Sequence, residues 1–181
     1  VMLRGVVQVR PDHSAALRDH GYCILKLGDA DQSRAMYEKA VALDGGDWEA
    51  YRGLGVACME DATKYAKTRT AFAKPIGLFD GVGAKLAIMF PYNDLGRMMT
   101  NRAATAIEQQ DPDAPVLVSC AKLFTSEAVN EITDLAMQIH AGHGYVKGTT
   151  VERLYRDARY AVIAHGTSEM QRAFIARDSL D

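Results

Sequence analysis

The residues of this 181-residue sequence that could take part in chemistry include a group near its end. His165 is followed directly by Gly166 and Thr167, and Glu169 comes shortly after them. An imidazole can act as a general base near neutral pH. Thr167 stands where the N-cap of a last helix is expected, so plain helix capping would also explain it. His165 is therefore either a proton-transfer group or a residue without a catalytic role, and Thr167 is either a ligand contact or an ordinary cap.

Arg69 and Phe72 are a second pair of residues to consider. Arg69 offers a forked cation that suits phosphate oxygens. Phe72, three residues further on, is expected to share the same face of a helix. The structural alternatives are a surface ion pair for Arg69 and a core position for Phe72.

Long helices are needed to position these residues. Apolar residues recur at three- and four-residue steps from Tyr51 to Phe72, which predicts a helix of about seven turns that Pro75 ends. A second helical stretch runs from Val82 to Ala106. Because Pro91 removes a backbone donor, we expect a kink or a break near residue 90.

The rest of the chain repeats the same pattern. A third apolar stripe from Leu117 to Ile139 predicts another long helix, and shorter helices are expected near 150–156 and from about Thr167 to Arg177. No strand pattern is recognisable. The sequence therefore predicts an all-α fold, an antiparallel four-helix bundle with an N-terminal helical hairpin.

Composition limits the classes of function. The chain is 48% hydrophobic with a formal net charge of −2, and no stretch concentrates Lys and Arg, so neither a nucleic-acid partner nor a membrane partner is predicted. Three widely spaced cysteines predict no disulfide framework and no metal site. The expectation is a cytoplasmic protein. Position 1 is not Met, which favours a fragment or a processed chain.

Residues 1–47 resemble a tetratricopeptide-repeat unit. A shift of 34 residues matches three pairs of positions, and Gly28 and Tyr37 lie between them; the pairs are Leu17 and Tyr51, Gly21 and Gly55, and Val6 and Ala40. The resemblance implies two antiparallel helices, with Gly21 at their contact and Gly28 and Asp29 at the turn. Only about one unit is present, so it is either a hairpin packed on the rest of the chain or the remainder of a peptide-binding array.

Residues 48–181 resemble the C-terminal domain of the acyl-CoA dehydrogenase family. In the first block the family reads A-x-x-Y-A-x-x-R-x-x-F-G-x-P-I. Four blocks carry the resemblance in the family's order: DATKYAKTRTAFAKPI (61–76), AKLFTSEAV (121–129), QIHAGHGYVKGTTVERLYRDAR (138–159) and HGTSEMQRAFIAR (165–177).

The resemblance implies an oxidoreductase that uses FAD to dehydrogenate an acyl thioester between its α and β carbons. In the family a carboxylate removes the α-proton, and the β-hydrogen leaves as hydride to the flavin. Contacts with a FAD held by a neighbouring subunit imply a homo-oligomer. By position, the family's FAD contacts fall on Arg69, Phe72, Gln138, Gly142, Thr167 and Glu169.

Three departures from the family keep a second function open. His165 occupies the position of the usual glutamate base, which makes it the candidate catalytic residue here. Ala141 replaces the first glycine of the loop that approaches the cofactor, and its methyl group narrows that approach. The family's N-terminal and middle domains have no counterpart in these 181 residues. The alternative is a non-catalytic interaction or assembly module that kept the bundle and lost the chemistry.

Overall fold

The computed structural model describes residues 7–27, 29–43 and 48–180, and helices dominate them. The helices are α1 (Ser14–Lys26), α2 (Ala30–Leu43), α3 (Trp48–Thr68), α4 (Asp80–Glu108), α5 (Ala114–His140), α6 (Gly142–Tyr145), α7 (Thr150–Ala161) and α8 (Ser168–Asp178). Between α3 and α4 lie two short strands, β1 (Thr70–Ala71) and β2 (Lys74–Pro75), and a 3₁₀ turn (Ile76–Leu78). The predicted all-α bundle is confirmed, and the helix that was expected from Leu117 to Ile139 is α5.

Helix α5 lies at the centre of the bundle and packs against α3, α4, α7 and α8. Its buried apolar residues recur at three- and four-residue steps, as in Ala121, Ala128, Val129, Ile132, Ala136 and Ile139. Half of them are alanines, which let neighbouring helix backbones come close. None of the helices in the described part of the chain combines the length and the apolar character that crossing a membrane requires.

The junction between α3 and α4 differs from the prediction. Helix α3 ends at Thr68, and the chain then forms an antiparallel ribbon in which Thr70 pairs with Pro75. Phe72 and Ala73 form its two-residue turn with φ angles of 50° and 63°. The expected continuation of the helix to Pro75 is therefore wrong, as is the expected absence of strands. A turn with two left-handed residues reverses the chain at once, and apolar spacing alone does not reveal it.

Pro91 lies inside α4, which runs from Asp80 to Glu108, so of the expected kink or break near residue 90 the break does not occur. Both Pro91 and Ala87, four residues earlier, are on the exposed side of the helix. Water can therefore satisfy the carbonyl that loses its donor to the proline ring.

Helices α1 and α2 form the expected N-terminal hairpin. Ser33 is fully buried between them, and its hydroxyl donates a 2.7 Å hydrogen bond to the carbonyl of Gly21. A Cβ added at Gly21 would lie 3.1 Å from the carbonyl oxygen of Ser33, so the helices do approach closely there. Gly28, which was expected at the turn, lies outside the described residues.

The hairpin packs directly onto the bundle. Tyr37 of α2 is 2% exposed and belongs to the same core cluster as residues of α3 and α5. Its ring lies over Gly53, where an added Cβ would be 2.2 Å from Tyr37 Cε1. Arg153 of α7 also donates to the carboxylate of Glu38 at 2.7 Å. The domain boundary proposed at residue 48 stays a prediction.

This contact gives a stability test. Gly53→Ala forces a methyl group into the Tyr37 ring, so we expect the free energy of unfolding to fall by about 1–3 kcal/mol in urea titrations. Gly81→Ala is the matched control, since a Cβ at Gly81 meets nothing within 4 Å, and it should leave stability equal or slightly higher. Equal effects of the two substitutions would contradict the Tyr37–Gly53 contact.

Candidate functional site

Thr167 caps the N-terminus of α8. Its hydroxyl accepts a 3.4 Å hydrogen bond from the backbone N–H of Met170, so the predicted N-cap is confirmed. The two residues before it turn the chain in the left-handed region, with φ of 52° at His165 and 89° at Gly166. The helix start is thus presented at the end of a sharp turn.

A cleft of about 460 Å³ lies beside this helix start, between α5, α7 and α8. Thr167, Ser168 and Glu169 line one side of it. Ser168 is 5% exposed, and its hydroxyl has no hydrogen-bond partner in the structure. An orphaned hydroxyl at a helix N-terminus is able to bind a polar or anionic ligand group.

The charges around the cleft are mixed. Its carboxylates and guanidinium groups are those of Glu127, Glu131, Asp134, Glu169, Arg159 and Arg172. Arg172 of α8 is paired with Glu127 of α5. Hydrogen bonds from its own backbone N–H and from the Thr167 hydroxyl lower the pKa of Glu169. A negatively charged ligand would therefore be favoured near the helix start and disfavoured near the other carboxylates.

His165 lies directly before this helix start but does not line the cleft. Its side chain is exposed. The structure thus places the candidate base beside the site, and its catalytic role stays a prediction.

The first and third sequence blocks meet at the other end of α5. Tyr65 of α3 stacks on His140 with ring centroids 4.3 Å apart, and on His143 at 5.7 Å. The His140 ring is fixed further by Nδ1, 2.8 Å from the carbonyl oxygen of Ala136, and by Nε2, 3.6 Å from the Asp61 carboxylate. A cavity of about 430 Å³ lies between the end of α3 and this loop.

The predicted cofactor contacts in these blocks are all exposed. Arg69 follows Thr68, a residue that lines this cavity, and its guanidinium makes no ion pair within the described part of the chain. Gln138 is exposed, and a Cβ added at Gly142 would meet nothing within 4 Å. Phe72 is 92% exposed in the ribbon turn, so it does not share a helix face with Arg69 as predicted.

The two groups of predicted contacts do not line the same cavity. The residues that line the cleft reach along α5 as far as Asp134, which lies about 6 Å before Gln138 on the helix axis at about 1.5 Å per residue. Arg69, Gln138 and Gly142 therefore do not share the cleft that Thr167 and Glu169 line. No group of His, Cys, Asp and Glu suited to a metal ion occurs in the part of the chain that the structure describes.

The backbone at Ala141 shows a constraint that the sequence alone did not reveal. Ala141 joins α5 to α6 with φ 51° and ψ −137°, a conformation that glycine adopts and a side chain resists. Alanine in place of the family's glycine therefore strains the backbone of this loop, and its methyl group also reduces the space through which a ligand could approach. Gly144 does need to be glycine, because a Cβ there would lie 2.9 Å from the Cβ of His140.

Sequence reasoning missed Lys122. This side chain is 9% exposed, and its ammonium donates to the carbonyl of Gly166 at 2.6 Å and to that of Ala161 at 3.2 Å. Burial lowers the pKa of Lys122. The sequence did hold a signal for it. Lys122 belongs to the second sequence block and precedes Val129, a buried residue of α5, by seven residues, so both lie on the same face of the helix.

The fold and the cleft define the class of protein: a helical bundle with a polar site at the start of its last helix. The family described as "Acyl-CoA dehydrogenase, C-terminal domain" matches residues 50–180. The chain belongs to the acyl-CoA dehydrogenase family through this domain.

Similar proteins agree with the assignment. The 3-(aryl)acrylate reductase of Clostridium sporogenes is 39% identical over 131 residues, which are 71% of this chain and 34% of that protein. The structure of butyryl-CoA dehydrogenase from Megasphaera elsdenii matches with a TM-score of 0.71 and 28% identity, over 84% of this chain and 37% of that one. The FAD complex of PigA matches with a TM-score of 0.71 and 25% identity, over 80% and 38%. The chain thus spans about a third of the length of the curated relatives it matches.

The comparisons also bear on the N-terminal hairpin. The match to the butyryl-CoA dehydrogenase structure covers 84% of this chain. Residues 48–181 alone are a smaller share of the chain, so the match also includes part of the segment before residue 48. The spacing of Gly21, Tyr37 and Ala40 is explained by the packing of one helical hairpin on the bundle. The tetratricopeptide assignment is not supported.

The strained loop gives a second stability test. Ala141→Gly should raise the free energy of unfolding by about 1–2 kcal/mol, because glycine adopts this backbone conformation without the strain of a side chain. The same substitution at Ala84, an exposed residue of α4, should lower it by roughly 0.5–1 kcal/mol. Chemical denaturation of both variants decides the point, and a loss of stability in both would contradict the strain at Ala141.

Proposed function

We propose that this chain supplies the C-terminal bundle of an oxidoreductase that uses FAD to dehydrogenate an acyl thioester between its α and β carbons. The observation that carries the proposal is the start of α8. There Thr167, Ser168 and Glu169, which correspond to the family's cofactor-contacting segment, line a cleft and leave a buried hydroxyl without a partner. The family match over residues 50–180 supports the same reaction class.

These residues are suited to the polar part of a dinucleotide cofactor. The first N–H groups of α8 already have acceptors, and the buried Ser168 hydroxyl, which has none, can donate to an acceptor in the cleft. FAD would supply the acceptor for the hydride that leaves the β carbon. The protein's part is to hold and orient the cofactor and the thioester, and to remove the α-proton.

The second group of residues is proposed to contact the cofactor of another subunit. Arg69, Gln138 and Gly142 are exposed, and none of them lines the cleft beside α8. An exposed guanidinium and an open glycine are suited to the diphosphate of a ligand held elsewhere. A homo-oligomer would bring such a ligand to them.

Helix α4 presents a surface that suits self-association. Ile88, Leu95 and Met98 are exposed on one side of the helix, at 44%, 46% and 57%, and they follow a three- to four-residue spacing together with Pro91. An apolar stripe of this kind is more often covered by a partner than left in water. We propose that a second copy of the chain covers it.

His165 is the candidate base, because it is the titratable side chain directly before the turn into α8. The α-proton would pass to an imidazole nitrogen. The competing function is a helical assembly module without chemistry, and the observation that favours it is that His165 is not among the residues that line the cleft. Measurements of FAD affinity and of flavin reduction separate these functions.

Affinity for FAD should depend on Arg69. Loss of a charged phosphate contact costs about 1.5–3 kcal/mol, so Arg69→Ala should raise the Kd for FAD by about tenfold to a hundredfold in fluorescence titrations. Arg102→Ala is the matched control, since Arg102 is an exposed arginine of α4 far along the chain from both sites. An unchanged Kd in Arg69→Ala would remove this residue from the cofactor site.

Proton abstraction should depend on His165. With FAD bound and oxygen excluded, a short acyl-CoA should bleach the flavin. His165→Gln should slow bleaching by roughly 10²–10⁴-fold. His165→Glu restores the carboxylate that the family uses and should retain bleaching. Identical traces for the native protein and the Gln variant would end the catalytic role and favour the assembly module.

A further inference from the structure

A lysine from the middle of the bundle reaches the turn that leads into α8. Lys122 lies on α5, and its ammonium donates to the carbonyl oxygens of Ala161 and Gly166, which are 39 and 44 residues further along the chain. Ala161 is the last residue of α7, and Gly166 precedes the cap of α8. One cation therefore joins the end of one helix to the start of the next.

Other hydrogen bonds also constrain the turn between these two carbonyls. His165 and Gly166 both adopt left-handed backbone angles. Because such angles are unfavourable for a residue with a side chain, contacts to the neighbouring carbonyls are needed to hold the chain in this direction. The N–H groups of Ile163 and Ala164 donate to the Tyr160 carbonyl at 3.0 and 2.9 Å, which holds the first part of the turn. Its second part is held by the Ser168 N–H, which donates to the Val162 carbonyl at 3.2 Å, and by Gln171 Nε2, which donates to the Gly166 carbonyl at 3.5 Å. The 2.6 Å bond from Lys122 is the shortest of these contacts.

The electrostatics favour a cation at this place. The last carbonyls of a helix have no partners within it and carry the negative end of the helix dipole. The Ala161 carbonyl is such a group, and Lys122 supplies the charge that it attracts. A buried ammonium is costly unless its N–H groups are hydrogen-bonded, so this side chain is held in place by the same two carbonyls that it orients.

We propose that Lys122 is a positioning residue, which fixes the turn 162–167 so that His165 and the start of α8 face the cofactor and the substrate. The effect of Lys122 on the cofactor and the substrate rests on the proposed function, whereas its hydrogen bonds to the turn are observed independently of that function. Lys122 does not line the cleft and touches no reacting atom.

The test compares Lys122→Met with Lys85→Met. Lys85 also donates to a backbone carbonyl, that of Gly81 at 3.2 Å, but within its own helix. Two quantities are measured: hydrogen exchange of the Ser168 amide relative to core amides of α5 such as that of Ile132, and the Kd for FAD. We expect Lys122→Met to raise the exchange rate at Ser168 about tenfold more than at Ile132 and to raise the Kd for FAD about tenfold, and Lys85→Met to change neither.

The outcomes separate the two ideas. Exchange that rises equally at Ser168 and Ile132 would show that Lys122 only stabilises the fold, which overturns the proposal. An unchanged Kd in a native protein that does bind FAD would also overturn it. If the native protein binds no FAD, the proposed function fails, and exchange at Ser168 alone decides whether Lys122 orders the turn. Should Lys122→Met not fold, Lys122→Gln keeps a donor on a shorter side chain and takes its place in the same comparison.

Discussion

The packing of α5 against four other helices is the constraint on which the rest of the structure depends. A helix that contacts neighbours on most of its sides must carry small or shape-matched residues along nearly its whole length. Ala121, Ala128 and Ala136 meet this need, and Val129 and Ile132 fill the spaces between the helices. Because α3, α4, α7 and α8 all pack on this one element, their positions relative to one another are set by it.

Some polar side chains of α5 form hydrogen bonds to the segments that pack around it. Thr125 and Thr133 are buried and satisfy their hydroxyls on carbonyls of their own helix, so they cost little and bind nothing else. Asn130 and Lys122 instead reach other elements: Asn130 donates to the carbonyl of Ala158 at 2.8 Å, and Lys122 donates to the end of α7 and to the turn beyond it. The same helix that forms the core therefore also orders the chain on either side of the candidate site.

Left-handed residues occur at both ends of the proposed cofactor surface. Phe72 and Ala73 turn the ribbon after α3, Ala141 ends α5, and His165 precedes α8. The family pattern has glycine at the positions of Ala73 and Ala141, where glycine would adopt these angles without strain. Here the tertiary contacts around each loop must hold an alanine in the same conformation, at a cost in stability.

The sequence by itself determined which segments are helical, because a buried helix face repeats every three to four residues, and it determined the cap at Thr167, because a capping hydroxyl acts on its own neighbours. The family blocks also placed Gln138, Thr167 and Glu169 at loops or helix ends, where the structure has them, whereas Arg69 was expected within a helix and lies just after its end. Apolar spacing does not report where a chain reverses, so the end of α3 at Thr68 and the unbroken α4 were decided by the fold. The separation of the two groups of contacts, the strain at Ala141 and the role of Lys122 depend on atoms brought together from distant parts of the chain. Only tertiary packing specifies such contacts, since no local pattern records which carbonyl a buried side chain will meet.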